Sequence, residues 1–178
     1  GELLGISPTI IRKDLNYFGG FGKQGVGYQI KELKETLTTI LGLDGTWNVG
    51  VIGLGRLGNA IASYKGFANA GFRIVALFDT NKSLYGNKIG RITIQSLEEL
   101  ERSIKTRNIK IAIIATPSNQ SQNVVNKLVA SNIKCILNYS QSSPKVPEGV
   151  ILKPVDPIST LQSMAFHLKN EHLSKNLR

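Results

Sequence analysis

Sulfur and imidazole are nearly missing from this chain. Its one cysteine, Cys135, excludes an intrachain disulfide framework and any CxxC metal site. Its two histidines, His167 and His172, both fall in the last expected helix, without a carboxylate or serine at useful spacing, and read as packing or surface residues. No metal cluster and no nucleophile elbow emerges. No apolar run approaches the roughly 20 residues that a membrane span needs. Residues 1–15 lack the basic start and apolar stretch of a signal peptide. The expected home is therefore the cytoplasm, with no membrane and no metal. Internal repeats and low-complexity tracts are absent as well.

What is present is a chain of 178 residues, 41% of them hydrophobic, enough for one domain of ordinary size, or for such a domain plus a small module. The net charge is +10, but it is unevenly placed. Residues 1–45 hold five basic residues (Arg12, Lys13, Lys23, Lys31, Lys34) and five acidic ones (Glu2, Asp14, Glu32, Glu35, Asp44). The remaining seventeen basic and seven acidic residues carry the whole excess. A nucleic-acid argument has to rest on pattern at the front of the chain, because total charge does not supply it. An anionic cofactor and solubility account for part of the excess elsewhere.

The pattern at the front is specific. Glu2-Leu3-Leu4-Gly5 reads as the end of a helix closed by glycine, with the greater part of that helix expected ahead of residue 1. Ser7 is a good N-cap and Pro8 a good first helical residue, since its missing N–H would have had no partner there. The helix is expected to run to about Phe18 and to stop at Gly19-Gly20. Ile11, Leu15 and Phe18 form its apolar stripe; Thr9, Arg12, Lys13 and Asn16 form a face of donors and positive charge. Helix, glycine turn and capped helix make a helix-turn-helix pattern. In that motif the second helix enters the major groove, where Arg and Lys meet guanine or phosphate. The bland alternative for the Arg12/Lys13 face is a solvated helix surface. Against it stands Phe21 to Tyr28, in which aromatics flank a Gly/Lys/Gln tip, a β-hairpin wing whose Lys23 and Gln24 would reach DNA. Residues 31–42 suit a helix with Leu33, Leu37, Ile40 and Leu41 inward, and Asp44-Gly45-Thr46 marks the domain boundary.

From Trp47 the rhythm alternates between strands and helices, which predicts an α/β fold with a doubly wound parallel sheet. The expected strands are Val49–Ile52, Phe72–Phe78, Ile89–Ile94, Ile109–Thr116, Ile133–Leu137 and Val150–Val155. The expected helices are Arg56–Ala70, 96–108, 118–131 and a last one from Pro157 onward, with a Ser/Pro/Gly loop at 139–149.

Gly53-Leu54-Gly55-Arg56-Leu57-Gly58 then sits where a dinucleotide fingerprint needs to be, after a strand and before a helix. Gly53 allows the tight turn, Gly55 lets backbone approach a pyrophosphate, and Gly58 lets helix and strand pack closely. Phosphates would rest on the helix N-terminus. Asp79, ending the second strand, would accept hydrogen bonds from an adenosine ribose and repel a 2′-phosphate, which favours NAD(H) over NADP(H); Lys82 nearby softens that preference. The alternatives are a glycine turn with no ligand, and another nucleotide such as the adenosine of coenzyme A. Tyr64 reads as a core aromatic with its hydroxyl at the surface, Asp156 as a helix N-cap, Cys135 as an inert interior thiol, and the carboxylates around Glu98, Glu99 and Glu101 as a solvated face. The last helix carries Ile158, Leu161, Met164, Ala165 and Leu168 on one broad stripe, which must fold back on its own sheet or cross to a second copy.

The segments Ile11–Gly19 and Phe21–Tyr28 closely resemble the recognition helix and wing of the Rex family of bacterial redox-sensing transcriptional repressors. The likeness continues through Gly53–Gly58, Tyr64-Lys65-Gly66-Phe67, Phe78-Asp79, Ala115-Thr116-Pro117, Ile136-Leu137-Asn138 and Val155-Asp156. The resemblance implies a winged-helix DNA-binding domain over residues 1–45, truncated at its start, a Rossmann NAD(H)-binding domain over 46–156, and a swapped C-terminal dimerisation helix over 157–178. It implies a homodimeric repressor, not an enzyme, that binds double-stranded operator DNA and is released by NADH in competition with NAD⁺. Carried over, Thr9, Arg12, Lys13, Asn16, Lys23 and Gln24 would contact DNA. Gly53, Leu54, Gly55, Arg56, Leu57, Gly58, Asp79, Thr116, Pro117 and Asn138 would hold the dinucleotide, and Tyr64 and Asp156 would form the redox switch near the nicotinamide. Two departures bear on that switch: the family's first helix, which supplies a switch arginine, is not in this sequence, and Pro157 stands where an aromatic can follow the aspartate. The competing class is a small NAD-dependent dehydrogenase or a coenzyme A-binding subunit. Either would need a substrate domain, and about 130 residues behind the front module leave little room for one. A third reading is a DNA-binding protein that keeps its dinucleotide as a fixed structural part.

Overall fold

The computed structural model describes residues 5–20, 22–23 and 27–175, with side chains described for all of these except 22, 23 and 171–175. The readings placed on Glu2–Leu4 and on Gln24 lie outside the described residues. The chain divides into two units, Gly1–Gly45 and Thr46–Arg178.

In the first unit, α1 (Pro8–Tyr17) starts as its sequence dictates: the Ser7 side chain accepts the Thr9 N–H at 3.3 Å and Pro8 occupies the first turn. β1 (Gly22–Lys23) and β2 (Gly27–Tyr28) pair antiparallel, with Lys23 opposite Gly27. Helix α2 (Ile30–Ile40) follows. Neither helix has a fully buried residue. The inward stripe expected on α2 is only partly realised. Leu33 and Leu37 are half-buried, whereas Ile40 is 42% and Leu41 63% exposed. Leu41 is the C-cap, beyond the last helical turn, and a unit of this size has too little interior to cover four leucine-sized side chains.

The second unit is a seven-stranded sheet. In chain order it runs β3 (Trp47–Ile52), α3 (Arg56–Ser63), α4 (Gly66–Asn69), β4 (Phe72–Asp79), β5 (Lys88–Ile89), β6 (Ile92–Ser96), α5 (Leu100–Thr106), β7 (Ile111–Ile114), α6 (Ser118–Ala130), β8 (Cys135–Asn138), β9 (Ile151–Pro154) and α7 (Pro157–Lys175). The spatial order is β5-β6-β4-β3-β7-β8-β9, parallel throughout except for β5, which pairs antiparallel with β6. β3 lies between β4 and β7, so the chain winds away from it in both directions and opens a crevice at its carboxyl end.

Two apolar layers hold the sheet. On one face Ile52, Phe78, Ile114 and Ile136 pack under Leu100 and Ile104 of α5 and Val124, Val125 and Leu128 of α6. On the other Val49, Val51, Leu77 and Ile113 pack under Ile61 of α3, with Phe67 of α4 at their margin. The second layer is thinner. An apolar groove of about 500 Å³ stays open beside α4 over β7, β8 and β9, lined by Tyr64, Phe67, Ile111, Cys135, Leu137 and Ile151. Cys135 is thus half-buried on a groove wall, not enclosed in the interior as expected. α7 exposes Ile158, Leu161, Met164, Phe166 and Leu168.

Other elements depart from the sequence reading. The single helix expected over Arg56–Ala70 breaks into α3 and α4, because Tyr64 turns extended (ψ 111°) and its ring folds over Gly66, where a Cβ would collide with it. The ring also meets Phe67 edge-on, centroids 5.4 Å apart. The strand expected over Ile89–Ile94 is a tight hairpin, since Gly90 takes φ +60°. The helix expected over 96–108 opens with a 3₁₀ turn (Leu97–Glu99) before α5. β8 and β9 are joined by a loop, as the Ser/Pro/Gly stretch at 139–149 leads one to expect.

Candidate functional site

The crevice at the carboxyl ends of β3, β4, β7 and β8 is a cleft of about 590 Å³. Its floor is the glycine turn. Gly53 sits at φ +88°, and a Cβ there would fall 2.8 Å from the Ala115 carbonyl group, so no other residue fits without moving β7's end. Gly58 faces back onto the turn, where a Cβ would collide with the Gly53 carbonyl oxygen. Gly55, the N-cap of α3, is different: a Cβ there meets nothing within 4 Å. The first intrahelical bond runs from the Asn59 N–H to the Gly55 carbonyl at 2.9 Å, so the amides of Arg56, Leu57 and Gly58 open the helix without intrahelical acceptors. That is the arrangement an anion requires.

Asp79 ends β4 beside this turn. Its Oδ2 accepts the Leu54 N–H at 2.6 Å and its Oδ1 accepts the Asn81 N–H at 2.8 Å, so the carboxylate braces the turn and still lines the cleft. Across the cleft, Thr116 and Pro117 lie between β7 and α6. The Thr116 hydroxyl oxygen is buried with no hydrogen-bond partner among the described residues. A buried hydroxyl without a partner is costly, and a polar ligand in the cleft would relieve it. Leu54 is buried beneath the turn, while Arg56 and Leu57 stand exposed at its mouth.

Asn138 is placed differently from its expected role. It is fully buried and does not line the cleft. Its Oδ1 accepts the Ser140 N–H at 3.0 Å and the Ser140 hydroxyl at 2.6 Å, and its Nδ2 donates to the Ser142 carbonyl at 3.0 Å. The Ser142 hydroxyl bonds both Ser140 (2.8 Å) and Ser121 of α6 (2.6 Å). Asn138 therefore shapes the loop that presents Tyr139, Ser140 and Gln141 to the cleft. Those three were missed in the sequence, as were Asn81 and Gln120. The available signal was position alone, since all of them follow strand ends at the same edge.

Tyr64 and Asp156 are not brought to the cleft within one chain. Tyr64 lines the apolar groove, and Asp156 caps α7, its Oδ1 accepting the N–H groups of Ile158 (3.0 Å) and Ser159 (3.3 Å). In the first unit, Thr9, Arg12, Lys13 and Asn16 are all exposed on α1, and an Arg12 Nη donates to the Thr9 hydroxyl at 3.3 Å.

Comparison with known proteins matches residues 44–142 to the CoA binding domain family. The redox-sensing transcriptional repressor Rex of Roseiflexus sp. (strain RS-1) is 43% identical over 171 residues, covering 96% of this chain and 78% of that protein. The Rex of Chloroflexus aurantiacus is 46% identical, over 96% of this chain and 81% of its own. This chain belongs to the Rex family. Among solved structures, RSP in complex with β-NAD⁺ and operator DNA superposes with a TM-score of 0.88 at 41% identity, covering 99% of this chain and 81% of RSP. RSP in complex with β-NADH superposes with a TM-score of 0.83 at 39% identity, covering 99% and 83%. The family likeness thus extends over both units, whereas the CoA binding domain match covers only the cofactor end.

Proposed function

We propose that this chain is a transcriptional repressor whose grip on operator DNA responds to the NADH/NAD⁺ ratio. One observation carries the reading: a capped helix with a cationic face and a dinucleotide cleft occur in one chain that matches Rex repressors along both parts. In the cleft, the amides of Arg56–Gly58 receive the pyrophosphate, Asp79 accepts from the adenosine ribose, and the partnerless Thr116 hydroxyl gains a bond. When bound, the nicotinamide ring supplies the redox signal, cationic when oxidised and neutral when reduced. Asp79 is the one carboxylate lining the cleft among the described residues, and it stands at the β4 side. The β8 side, three strand spacings or about 14 Å away, carries no carboxylate among the described residues of the same chain that line the cleft, so within one chain the neutral form is favoured there.

On α1, Thr9, Arg12, Lys13 and Asn16 meet base edges and phosphates of the major groove, and Lys23 and Gln24 add the wing. The working form is a homodimer. In its support, α7 exposes Leu161, Met164 and Leu168 while the sheet keeps an apolar groove uncovered, so the helix of a second copy satisfies both. Tyr64 lines that groove and Asp156 caps that helix, which puts the two switch residues on opposite sides of the same exchange. No described helix is long and apolar enough to cross a membrane, in keeping with a repressor working in the cytoplasm. Fluorescence anisotropy on a palindromic duplex tests the switch. NADH is expected to release the duplex and NAD⁺ to restore it; binding that persists at saturating NADH overturns the proposal.

A further inference from the structure

The excess positive charge of the second unit includes an ordered row. Lys110 and Lys134 immediately precede β7 and β8. The register pairs Ile111 with Cys135, so the two lysines stand side by side at the amino-terminal edge of the sheet, their backbones about 5 Å apart. Asn48 holds the next place, accepting the Lys110 N–H at 3.0 Å, and Arg73 pairs with Asn48 on the strand beyond. Arg73, Asn48, Lys110 and Lys134 therefore cross four adjacent strands in one line. The three cations are exposed and form no ion pair among the described residues, where the two ion pairs both lie in the segment 99–105. Asn48 is pinned by its Nδ2, which donates to the Arg107 carbonyl at 2.7 Å, and Arg107 is in turn anchored to the Val75 carbonyl. Asp44 precedes Asn48 by four residues, Asp79 follows Arg73 by six but stands at the opposite, carboxyl end of β4, and Glu148 is exposed in the loop ahead of β9. Lys110 and Lys134 each lie four residues after a helix C-terminus (α5 and α6), whose partial negative charge favours cations at this edge within the last turn only.

We infer that this edge binds phosphates of duplex DNA outside the sequence read by α1. The inference rests on the DNA-binding reading above. The first unit is neutral, so it contributes little long-range attraction, whereas salt-dependent affinity for a duplex comes from cations that displace condensed counterions. Asn48 follows Gly45 by three residues in the chain, so a duplex bound by the first unit meets this edge at the raised effective concentration of a short tether.

The test is the salt dependence of binding to a random-sequence duplex, for the full chain and for the Arg73→Gln/Lys110→Gln/Lys134→Gln variant. Three lost phosphate contacts lower the log–log slope by about 2.7 for each protomer whose edge meets the duplex, which narrows the affinity change between roughly 50 and 200 mM salt by about 40-fold per such protomer. The Lys88→Gln/Arg91→Gln variant, neutralised on the β5–β6 hairpin, should keep the parent slope. NADH binding and melting temperature establish that the triple variant is folded; should it not fold, Lys110→Gln/Lys134→Gln serves, with a slope drop of about 1.8. An unchanged slope, or an equal drop in the hairpin variant, overturns the inference and leaves the row to general solvation or to an acidic protein surface. Failure of the parent chain to bind duplex at all sinks the DNA-binding reading itself, a distinguishable result.

Discussion

Gly58 packs so closely on Gly53 that a methyl group on the first would overlap the carbonyl oxygen of the second. Both groups are backbone, so neither yields cheaply, and α3 would have to lift from β3. Gly58→Ala is expected to destabilise the protein by about 1–3 kcal/mol and to abolish dinucleotide binding. Gly55→Ala meets open space, so it should keep the parent melting temperature and lose affinity alone. Thermal melts and NADH titrations on the two variants separate packing from ligand approach.

Asp79 both holds the Leu54 amide and presents a negative charge to the cleft. Asp79→Asn keeps one acceptor oxygen but removes the repulsion toward a 2′-phosphate. The ratio of NADPH to NADH affinity should rise by about tenfold, equivalent to about 1.4 kcal/mol, in parallel titrations. An unchanged ratio would mean that the carboxylate serves only as a brace.

Asn138 bonds the 140–142 loop from a fully buried position. Asn138→Ala leaves the Ser140 and Ser142 groups without their partner, at about 1–3 kcal/mol. The expected result is a lower denaturation midpoint and weaker NADH binding, since Ser140 and Gln141 lose their fixed placement. Hydrogen exchange should locate the loosening in residues 139–145.

Leu161 lies 63% exposed on α7. If a second copy covers it, Leu161→Asp buries a charge at the contact and should convert dimer to monomer in sedimentation velocity at micromolar protein. The same substitution on a helix that stays in solvent would leave the sedimentation coefficient unchanged.

The α/β class of the fold follows from the alternation of strands and helices, and the glycine turn was legible in the sequence for a local reason. Gly53, Gly55 and Gly58 answer to backbone constraints within one strand–turn–helix unit, and Asp79 to the end of the neighbouring strand. The start of α1 was legible likewise, because Ser7 and Pro8 act within a single turn. Asn138 was misread because its partners, Ser140, Ser142 and Ser121, meet only after β8 packs beside β7 and α6. The break at Tyr64 escaped notice because helical periodicity runs through it, and the ring's fold over Gly66 is a side-chain event. Cys135 reads as an interior thiol in the sequence, yet it lines a groove that stays open beside β8, which no local pattern announces.

The walls of the crevice come from segments far apart in the chain: the turn after β3, Asp79, Thr116 and the stretch from Tyr139 to Gln141. None of them forms a pocket in an unravelled polypeptide, so a dinucleotide seated there recognises the folded form alone. At a hundredfold excess over its dissociation constant it adds about 2.7 kcal/mol to the cost of unfolding. The folded population therefore follows coenzyme concentration, and a thermal melt with and without NADH should show it as a rise in Tm.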